Sequence, residues 1–219
     1  MGNVAMTTVS KSLSYLEREG WRAFIDKAAD KMLAPLFVHN RILIYNFTAD
    51  KPVSVASHPR AIFNELSIND LPRLEKVMYQ SRKAIEKRFK KGDRCFVAEI
   101  DSRIAHYTWL CFGEEYLPSI EKRVRVKENE AYIYNVYTVP SFRREGLFSF
   151  VLGQVLKQLQ DSGYKKLWVS VLSNNLSSQN AFEKMGFEKE TEIEYLRFLI
   201  FKKYRDFNGR SKFDANSLV

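Results

Sequence analysis

The sequence predicts an α/β fold built around a mixed β-sheet. Helical and strand-like patterns follow one another along the whole chain, which is typical of this class. Two alternating runs, residues 94–100 and 102–112, meet at Asp101–Ser102 and predict an antiparallel hairpin. A strand, a helix and a second strand within residues 131–172 predict a right-handed parallel crossover.

Length and composition indicate one globular domain, with or without a small appendage. The chain has 219 residues, 45% of them hydrophobic and 28% charged, which excludes wholesale disorder and collagen-like structure. Two cysteines, Cys95 and Cys111, cannot form a disulfide framework, and we predict that both are inert core residues. There is no secretory apolar segment and no apolar run of about 18 residues, so we expect no membrane span and a cytoplasmic location.

The first third of the chain predicts a helical extension followed by strands and a second helix. Residues 11–37 have helical apolar spacing, and Pro35 is expected to end that helix. A helix beginning at Asn69 or Asp70 is predicted to run to about Lys91, with a break near Ser81. Further predicted segments are a strand at 41–47, a loop at 51–59 and a strand at 61–66.

The remaining two thirds carry the strongest strand and helix patterns. Residues 113–130 predict a polar, irregular segment with one short alternation at 123–126. The elements predicted after it are strands at 131–139, 166–172, 187–192 and 194–203 and helices at 146–162 and 175–185. We therefore divide the chain into an N-terminal helical extension and strand (1–50), a main domain (51–205) and a flexible polar tail (206–219).

The segment 138–146, TVPSFRREG, joins a strand to a helix and has the features of an anion site. The first turn of a helix exposes unpaired N–H groups and the positive end of the helix dipole, which together bind phosphate. Gly146 lets the backbone approach an anion closely, and Arg143 and Arg144 add positive charge. Alone, the segment also fits a plain strand–helix turn.

A second motif, NLSSQNAFEKMGF at 175–187, follows the next strand. With both motifs present, residues 61–203 resemble the GNAT superfamily of acyl-CoA-dependent N-acyltransferases. The resemblance implies a mostly antiparallel central sheet that is splayed between the family's fourth and fifth strands and flanked by helices. Those two strands correspond here to residues 131–139 and 166–172.

The resemblance further implies an acyl-CoA co-substrate, most simply acetyl-CoA, held in the gap between the splayed strands. The amide of Val136 would polarise the thioester carbonyl, while an amine acceptor attacks directly in a ternary complex. The residues that would contact the cofactor are Val136, Tyr137, Thr138, Arg143, Arg144, Glu145, Gly146, Leu147, Phe148, Ser149, Asn175 and Ser178. The net charge of +9 independently favours an anionic ligand.

The sequence departs from the family pattern at four positions. Phe148 replaces a small residue and would either crowd the phosphates or rotate into the core. Phe182 replaces a proton-donating tyrosine. Tyr132 and Ser170 stand where family members place a glutamate base. General acid–base help is typically worth about 10²–10⁴ in rate, so catalysis here would depend on positioning and on the Val136 amide.

Substitutes for the missing acid and base come from the strand at 131–139 and its neighbour. We name Tyr132 and Tyr134 as candidate catalytic residues, and strand alternation places both on one face with Tyr137 on the other. His106 is a further candidate, although a hydrogen-bonded structural histidine is also consistent with its position. The carboxylates Glu114, Glu115 and Glu130 fall in the segment that would roof the acceptor site. The histidines and cysteines lack metal-ligand spacing, so we predict no metal site.

The basic cluster at 82–94 leaves more than one partner class open. It fits a solvated helix face, a surface for an acidic acceptor or a nucleic-acid contact, but no nucleic-acid-binding motif accompanies it. We expect the partners to be a small-molecule or peptide amine and, through the 11–37 helix, a second copy of the chain. The competing function is a non-catalytic acyl-CoA-binding or interaction module that retains the fold.

Overall fold

The computed structural model describes residues 36–53 and 55–207, which form two compact units. Among the described residues, the larger unit comprises 41–53, 55–193 and 206–207, and the smaller unit comprises 36–40 and 194–205. The predicted 11–37 helix lies outside the described residues except at its end, where Phe37 begins a strand. The tail is described only at Asp206 and Phe207. None of the described helices has the length and apolar character needed to cross a membrane.

Ten strands and four α-helices make up the described residues. The strands are β1 (Phe37–Thr48), β2 (Ile62–Leu66), β3 (Arg94–Ile100), β4 (Arg103–Cys111), β5 (Glu114–Leu117), β6 (Lys122–Arg125), β7 (Glu130–Thr138), β8 (Lys166–Leu172), β9 (Glu188–Phe198) and β10 (Phe201–Asp206). The helices are α1 (Leu71–Leu74), α2 (Arg82–Lys90), α3 (Leu147–Asp161) and α4 (Leu176–Lys184), with short 3₁₀ turns at Ile68–Asp70 and Pro140–Phe142.

The predicted mixed, mostly antiparallel sheet is confirmed. In the larger unit the strand order is β9-β1-β8-β7-β4-β3-β2. The β1–β8, β4–β7, β3–β4 and β2–β3 pairs are antiparallel, and β7–β8 is parallel. The predicted turn at Asp101–Ser102 is also confirmed, since both residues have positive φ, as a two-residue hairpin turn requires.

Two buried clusters cover opposite faces of this sheet. One packs α3 against the sheet through an apolar stripe that includes Leu147, Val151 and Val155. The other packs α1 and α2 through Leu71, Leu74 and Ile85. Cys95 and Cys111 are buried and unpaired, as predicted, and burial raises the pKa of the Cys111 thiol to about 11.

The predicted break near Ser81 is confirmed, but it is longer than expected and reaches back to Glu75. The chain forms the 3₁₀ turn and α1, leaves the helix, and restarts at α2 after Ser81, whose backbone is extended. Ser67 begins the first turn, because its hydroxyl accepts from the Asn69 amide and the Asp70 carboxylate accepts from its own amide.

Two segments that contain strands also differ from the sequence expectation. The strands predicted at 187–192 and 194–203 form as β9 and β10, but the turn between them lies at Leu199–Ile200 rather than near Ile193. The first strand is longer than predicted because the alternation of buried residues Thr191, Ile193 and Tyr195 continues past Ile193. The segment 113–130, expected to be irregular apart from a short alternation at 123–126, contains the antiparallel β5–β6 hairpin, which forms a separate two-stranded sheet. Its second strand, β6, covers most of that alternation.

Candidate active site

The parallel strands β7 and β8 separate halfway along their length. Their register runs from Glu130↔Lys166 to Ile133↔Val169 and stops there, although β7 continues to Thr138 and β8 to Leu172. The backbone beyond Ile133 therefore has no partner from β8. This is the predicted splay between the two strands.

A β-bulge in β7 accompanies the separation. The register with β4 passes from Trp109↔Tyr134 to Tyr107↔Tyr137, so Asn135 and Val136 together lie opposite Thr108. Asn135 takes a left-handed φ of 48°. An extra residue of this kind redirects the side chains and amides next to it. The Val136 amide thus lies at a bulge, beyond the last β7–β8 pair.

The bulge overturns the predicted alternation of the three tyrosines. Tyr134 and Tyr137 pack against the same cluster, on the α1–α2 face, whereas Val136 packs against the α3 cluster. The Tyr137 ring lies 5.5 Å from the Tyr107 ring, and the Tyr134 ring 6.3 Å from that of Trp109. Inserting one residue shifts a period-2 pattern by one, so Tyr137 moves to the face of Tyr134.

The N-terminus of α3 opens beside this gap. Gly146 precedes the helix with φ of 78° and supplies no side-chain cap, so the first-turn amides of Leu147, Phe148 and Ser149 lack side-chain partners. Arg143 lies over the Tyr137 ring and donates to the Thr138 carbonyl. Arg144 is exposed, and no described carboxylate pairs with it.

His58 fixes the turn that leads into α3, a role that the sequence analysis missed. Its Nδ1 accepts from the amides of Arg60 and Ala61, at 3.2 and 2.9 Å, so Nε2 carries the proton. Nε2 donates to the Glu145 carbonyl at 3.0 Å. No spacing signal connects residues 58 and 145, because the contact depends on tertiary structure.

Two clefts meet along the separated strands. The helix-side cleft, of about 550 Å³, is lined by the end of β7, the turn before α3 and the start of α4. The hairpin-side cleft, of about 530 Å³, lies between the 115–119 segment and the same strands. Val136, Ser178 and Phe182 line both clefts, so the two are continuous.

Most of the predicted cofactor residues are brought together in the helix-side cleft. Those lining it are Val136, Tyr137, Thr138, Arg143, Arg144, Gly146, Leu147, Phe148 and Ser178. Glu145 faces Arg60, and Ser149 lines a separate pocket. Asn175 lines the hairpin-side cleft, where its side chain caps α4 by accepting from the Ser178 amide.

Phe148 and Phe182 form an aromatic floor between the clefts. Their rings meet edge to face with centroids 5.0 Å apart, and Phe148 also packs edge-on to His106. Phe182 is only 4% exposed and Phe148 packs against the α3 core cluster. Of the two outcomes considered for Phe148, this arrangement is rotation toward the core.

His106 is a hydrogen-bonded core residue. Its Nδ1 lies 2.7 Å from the Thr138 hydroxyl and its Nε2 2.9 Å from the Thr108 hydroxyl. Complete burial lowers the pKa of His106 to about 3, so the ring stays neutral. A neutral imidazole between two threonines positions β4 against the end of β7.

This buried histidine makes a testable contribution to acid sensitivity. Below pH 6.5 the unfolded chain protonates His106 and the folded chain does not, so stability falls as pH falls toward 3. We expect the free energy of unfolding to drop by about 2 kcal/mol between pH 7 and pH 5 from this residue. Urea unfolding of wild type and His106→Asn at both pH values measures it. Equal pH dependence in the two proteins would contradict the assignment.

The candidate catalytic tyrosines are both hydrogen-bonded and held in the protonated form. The Tyr132 hydroxyl is 2.5 Å from the Ser170 Oγ, and burial raises the pKa of Tyr132. Burial and then the hydrogen bond that its hydroxyl donates to Asp93 raise the pKa of Tyr134. Both phenols therefore remain protonated at neutral pH and cannot act as bases.

The carboxylates nearest to these tyrosines are paired with one lysine. Lys91 Nζ lies 3.0 Å from Asp93 Oδ2 and also contacts the Glu115 carboxylate. Burial lowers the pKa of Lys91, but the hydrogen bonds that its ammonium donates to Glu115 and Asp93 outweigh burial and raise the pKa. Glu114 pairs instead with Arg123 and Arg125, and Glu130 accepts from the Trp168 indole.

Comparisons with known proteins agree with this geometry. Solved structures with the same fold include a Drosophila protein (TM-score 0.55, 9% identical, 81% of this chain and 58% of that chain). Another, described as a GNAT-family acetyltransferase from Novosphingobium aromaticivorans, gives a TM-score of 0.51 with 18% identity over 73% of this chain and 66% of that chain.

Curated relatives match a shorter region. [Ribosomal protein bS18]-alanine N-acetyltransferase of Salmonella typhimurium is 30% identical over 63 residues, which is 29% of this chain and 43% of the relative. The Haemophilus influenzae protein of that name is 31% identical over 61 residues, 28% of this chain and 41% of the relative. The chain thus matches less than half of each relative.

The family model supplies the decisive comparison, because it spans both motifs and the separated strands. The acetyltransferase (GNAT) family model matches residues 60–187, more than half of the chain. It confirms the resemblance drawn from the two motifs. The chain belongs to the acetyltransferase (GNAT) family.

Proposed function

We propose that this protein is an N-acyltransferase that moves an acyl group, most simply acetyl, from acyl-CoA to an amine. The observation that carries the proposal is the separation of β7 and β8 directly beside the uncapped N-terminus of α3. A thioester-bearing arm fits between parted strands, and a diphosphate fits on helix amides. The residues present suit such a ligand, since Arg143 and Arg144 line the same cleft.

Bound acyl-CoA would supply an activated acyl group and a thiolate leaving group. The chain's residues then do three things. The first-turn amides of α3 hold the diphosphate, and the end of β7 aligns the arm. The Val136 amide donates to the developing oxyanion while the amine nitrogen bonds to the carbonyl carbon and the carbon–sulfur bond breaks. The amine loses its extra proton to solvent, because no described carboxylate in the gap lacks a cationic partner.

A second candidate is a non-catalytic acyl-CoA-binding module. It is favoured by Phe182, which has no proton to give, and by the Tyr132–Ser170 pair at the positions of a family base. Calorimetry with acetyl-CoA, followed by thiol release across a panel of amines, separates the two. Binding with amine-dependent thiol release supports the transferase. Binding without release across the panel supports the module, and absence of binding removes both.

The proposed diphosphate site predicts an effect at His58. His58→Ala removes the donor to the Glu145 carbonyl and loosens the turn that presents the α3 amides. We expect the Kd for acetyl-CoA to rise about 3- to 10-fold and the unfolding free energy to fall by about 1 kcal/mol. His39→Ala, a matched loss of an imidazole that pairs with Glu194, is the calorimetric control. Equal Kd values for the two variants would contradict this role.

A further inference from the structure

Arg88 lines the hairpin-side cleft and stacks on two aromatic rings. Its guanidinium carbon lies 5.0 Å from the centroid of the Tyr134 ring and 5.2 Å from that of Trp109. The side chain is partly buried, and among the described residues no carboxylate lies within ion-pair distance of it. Stacking on two rings orients the guanidinium without neutralising it.

The other cations of the 82–94 cluster are either paired with carboxylates or exposed to solvent. Arg82 contacts Glu75 and Glu86, Lys91 contacts Asp93 and Glu115, and Arg94 makes a two-pronged pair with Glu65. Lys83, Lys87 and Lys90 are exposed to solvent. Arg88 is therefore the cation that the helix presents to the cleft without a carboxylate partner among the described residues.

The contact between Arg88 and the bulge ties this cation to the proposed reaction centre. With the Asn135 amide oriented to suit its neighbours, its oxygen accepts from Arg88 Nη2 at 3.1 Å and also from Nη1. Asn135 precedes Val136, whose amide is the proposed oxyanion donor. Arg88 thus contacts the residue next to the proposed oxyanion donor, and both line the same cleft.

Other polar groups of the cleft complement an amine. Gln80 lines it, and the Oε1 atom of this residue is buried and has no hydrogen-bond partner among the described residues. The Glu115 carboxylate lies across the cleft, where it shares Lys91 with Asp93. The cleft thus has one open guanidinium and nearby acceptor oxygens, a pattern complementary to a zwitterion.

We propose, resting on the transferase function above, that the acceptor is a free amino acid whose carboxylate binds Arg88. Arginine binds carboxylates through two parallel hydrogen bonds, and a partly desolvated guanidinium gains most from such a ligand. Arg88, Asn135 and Val136 line the same cleft, so one small ligand there can face both the guanidinium and the proposed reaction centre. The carboxylate selects the acceptor, and its amine attacks the thioester.

The test measures acceptor binding rather than turnover. Calorimetry on the full chain saturated with CoA compares the twenty amino acids with their carboxamides and with alanine-initiated peptides. We expect at least one amino acid to bind about tenfold or more tightly than its carboxamide. Equal binding of acid and amide, or binding by peptides alone, overturns the proposal. CoA binding with no amino acid bound also overturns it but leaves the transferase standing, whereas loss of CoA binding removes the transferase.

Substitutions at residues 87 and 88 test which side chain distinguishes the amino acid from its carboxamide. Arg88→Gln is expected to weaken binding of the acid about 10- to 100-fold and to leave the carboxamide unchanged. Arg88→Lys should retain part of the preference, because the charge remains and the planar fork is lost. Lys87→Gln removes an exposed neighbouring charge and should change nothing. CoA affinity and thermal unfolding report whether each variant is folded. An acid preference that survives Arg88→Gln in folded protein overturns the assignment.

Discussion

Replacing Val136 by proline is expected to lower kcat about 100- to 1000-fold, the usual cost of removing one oxyanion donor. Proline lacks the amide hydrogen proposed to stabilise the oxyanion. Val136 lies at the bulge, where the register assigns it no partner residue in β4 or β8. Steady-state thiol release with the best acceptor of the amine panel measures the effect.

The control for this variant keeps the amide and changes the side chain. Val136→Ala should retain kcat within a few-fold, since its backbone N–H is intact. Acetyl-CoA affinity and thermal unfolding check that the proline variant is folded, because proline also restricts Asn135 before it. A folded proline variant that binds acetyl-CoA and keeps more than about a tenth of wild-type kcat would refute the oxyanion role.

Gly146→Val is expected to weaken acetyl-CoA binding by about 10- to 100-fold. The residue has φ of 78°, a conformation that a β-branched side chain adopts only with strain. Relieving that strain shifts the turn and moves the first amides of α3 from the position that a diphosphate would occupy. Calorimetric titration with acetyl-CoA measures the change in Kd.

Gly163 offers a matched control at the other end of the same helix. It has φ of 80°, and an added Cβ would meet nothing within 4 Å, as at Gly146. Gly163→Val should therefore cost similar stability, about 1–3 kcal/mol, without changing the Kd for acetyl-CoA. If both variants weaken binding equally, the effect of Gly146→Val is global destabilisation and the diphosphate site is misplaced.

Local patterns were enough to predict the elements that carry the chemistry. Two short-range signals predicted these elements. The aromatic and β-branched run predicted the strand β7, and an apolar stripe preceded by a glycine predicted the helix α3; both elements were confirmed. The separation of β7 from β8 was predicted only through the family resemblance, because nothing in either strand alone says where pairing stops.

What the sequence did not reveal depends on contacts between distant residues. The bulge at Asn135 and Val136 is defined by the register with β4, so alternation alone misplaced Tyr137. His58 joins Glu145, and Arg88 joins Asn135, across spans that carry no periodic signal. The break near Ser81 was predicted, but its extent back to Glu75 was not, and Met78 is buried within it.

The small β5–β6 sheet belongs to one of the two clefts and can vary in sequence independently of the other. Residues 115–119 form one wall of the hairpin-side cleft and none of the helix-side cleft. Their strands pair only with each other. Insertions or exchanges within β5–β6 would therefore change the proposed acceptor cleft and leave the proposed cofactor cleft as it is.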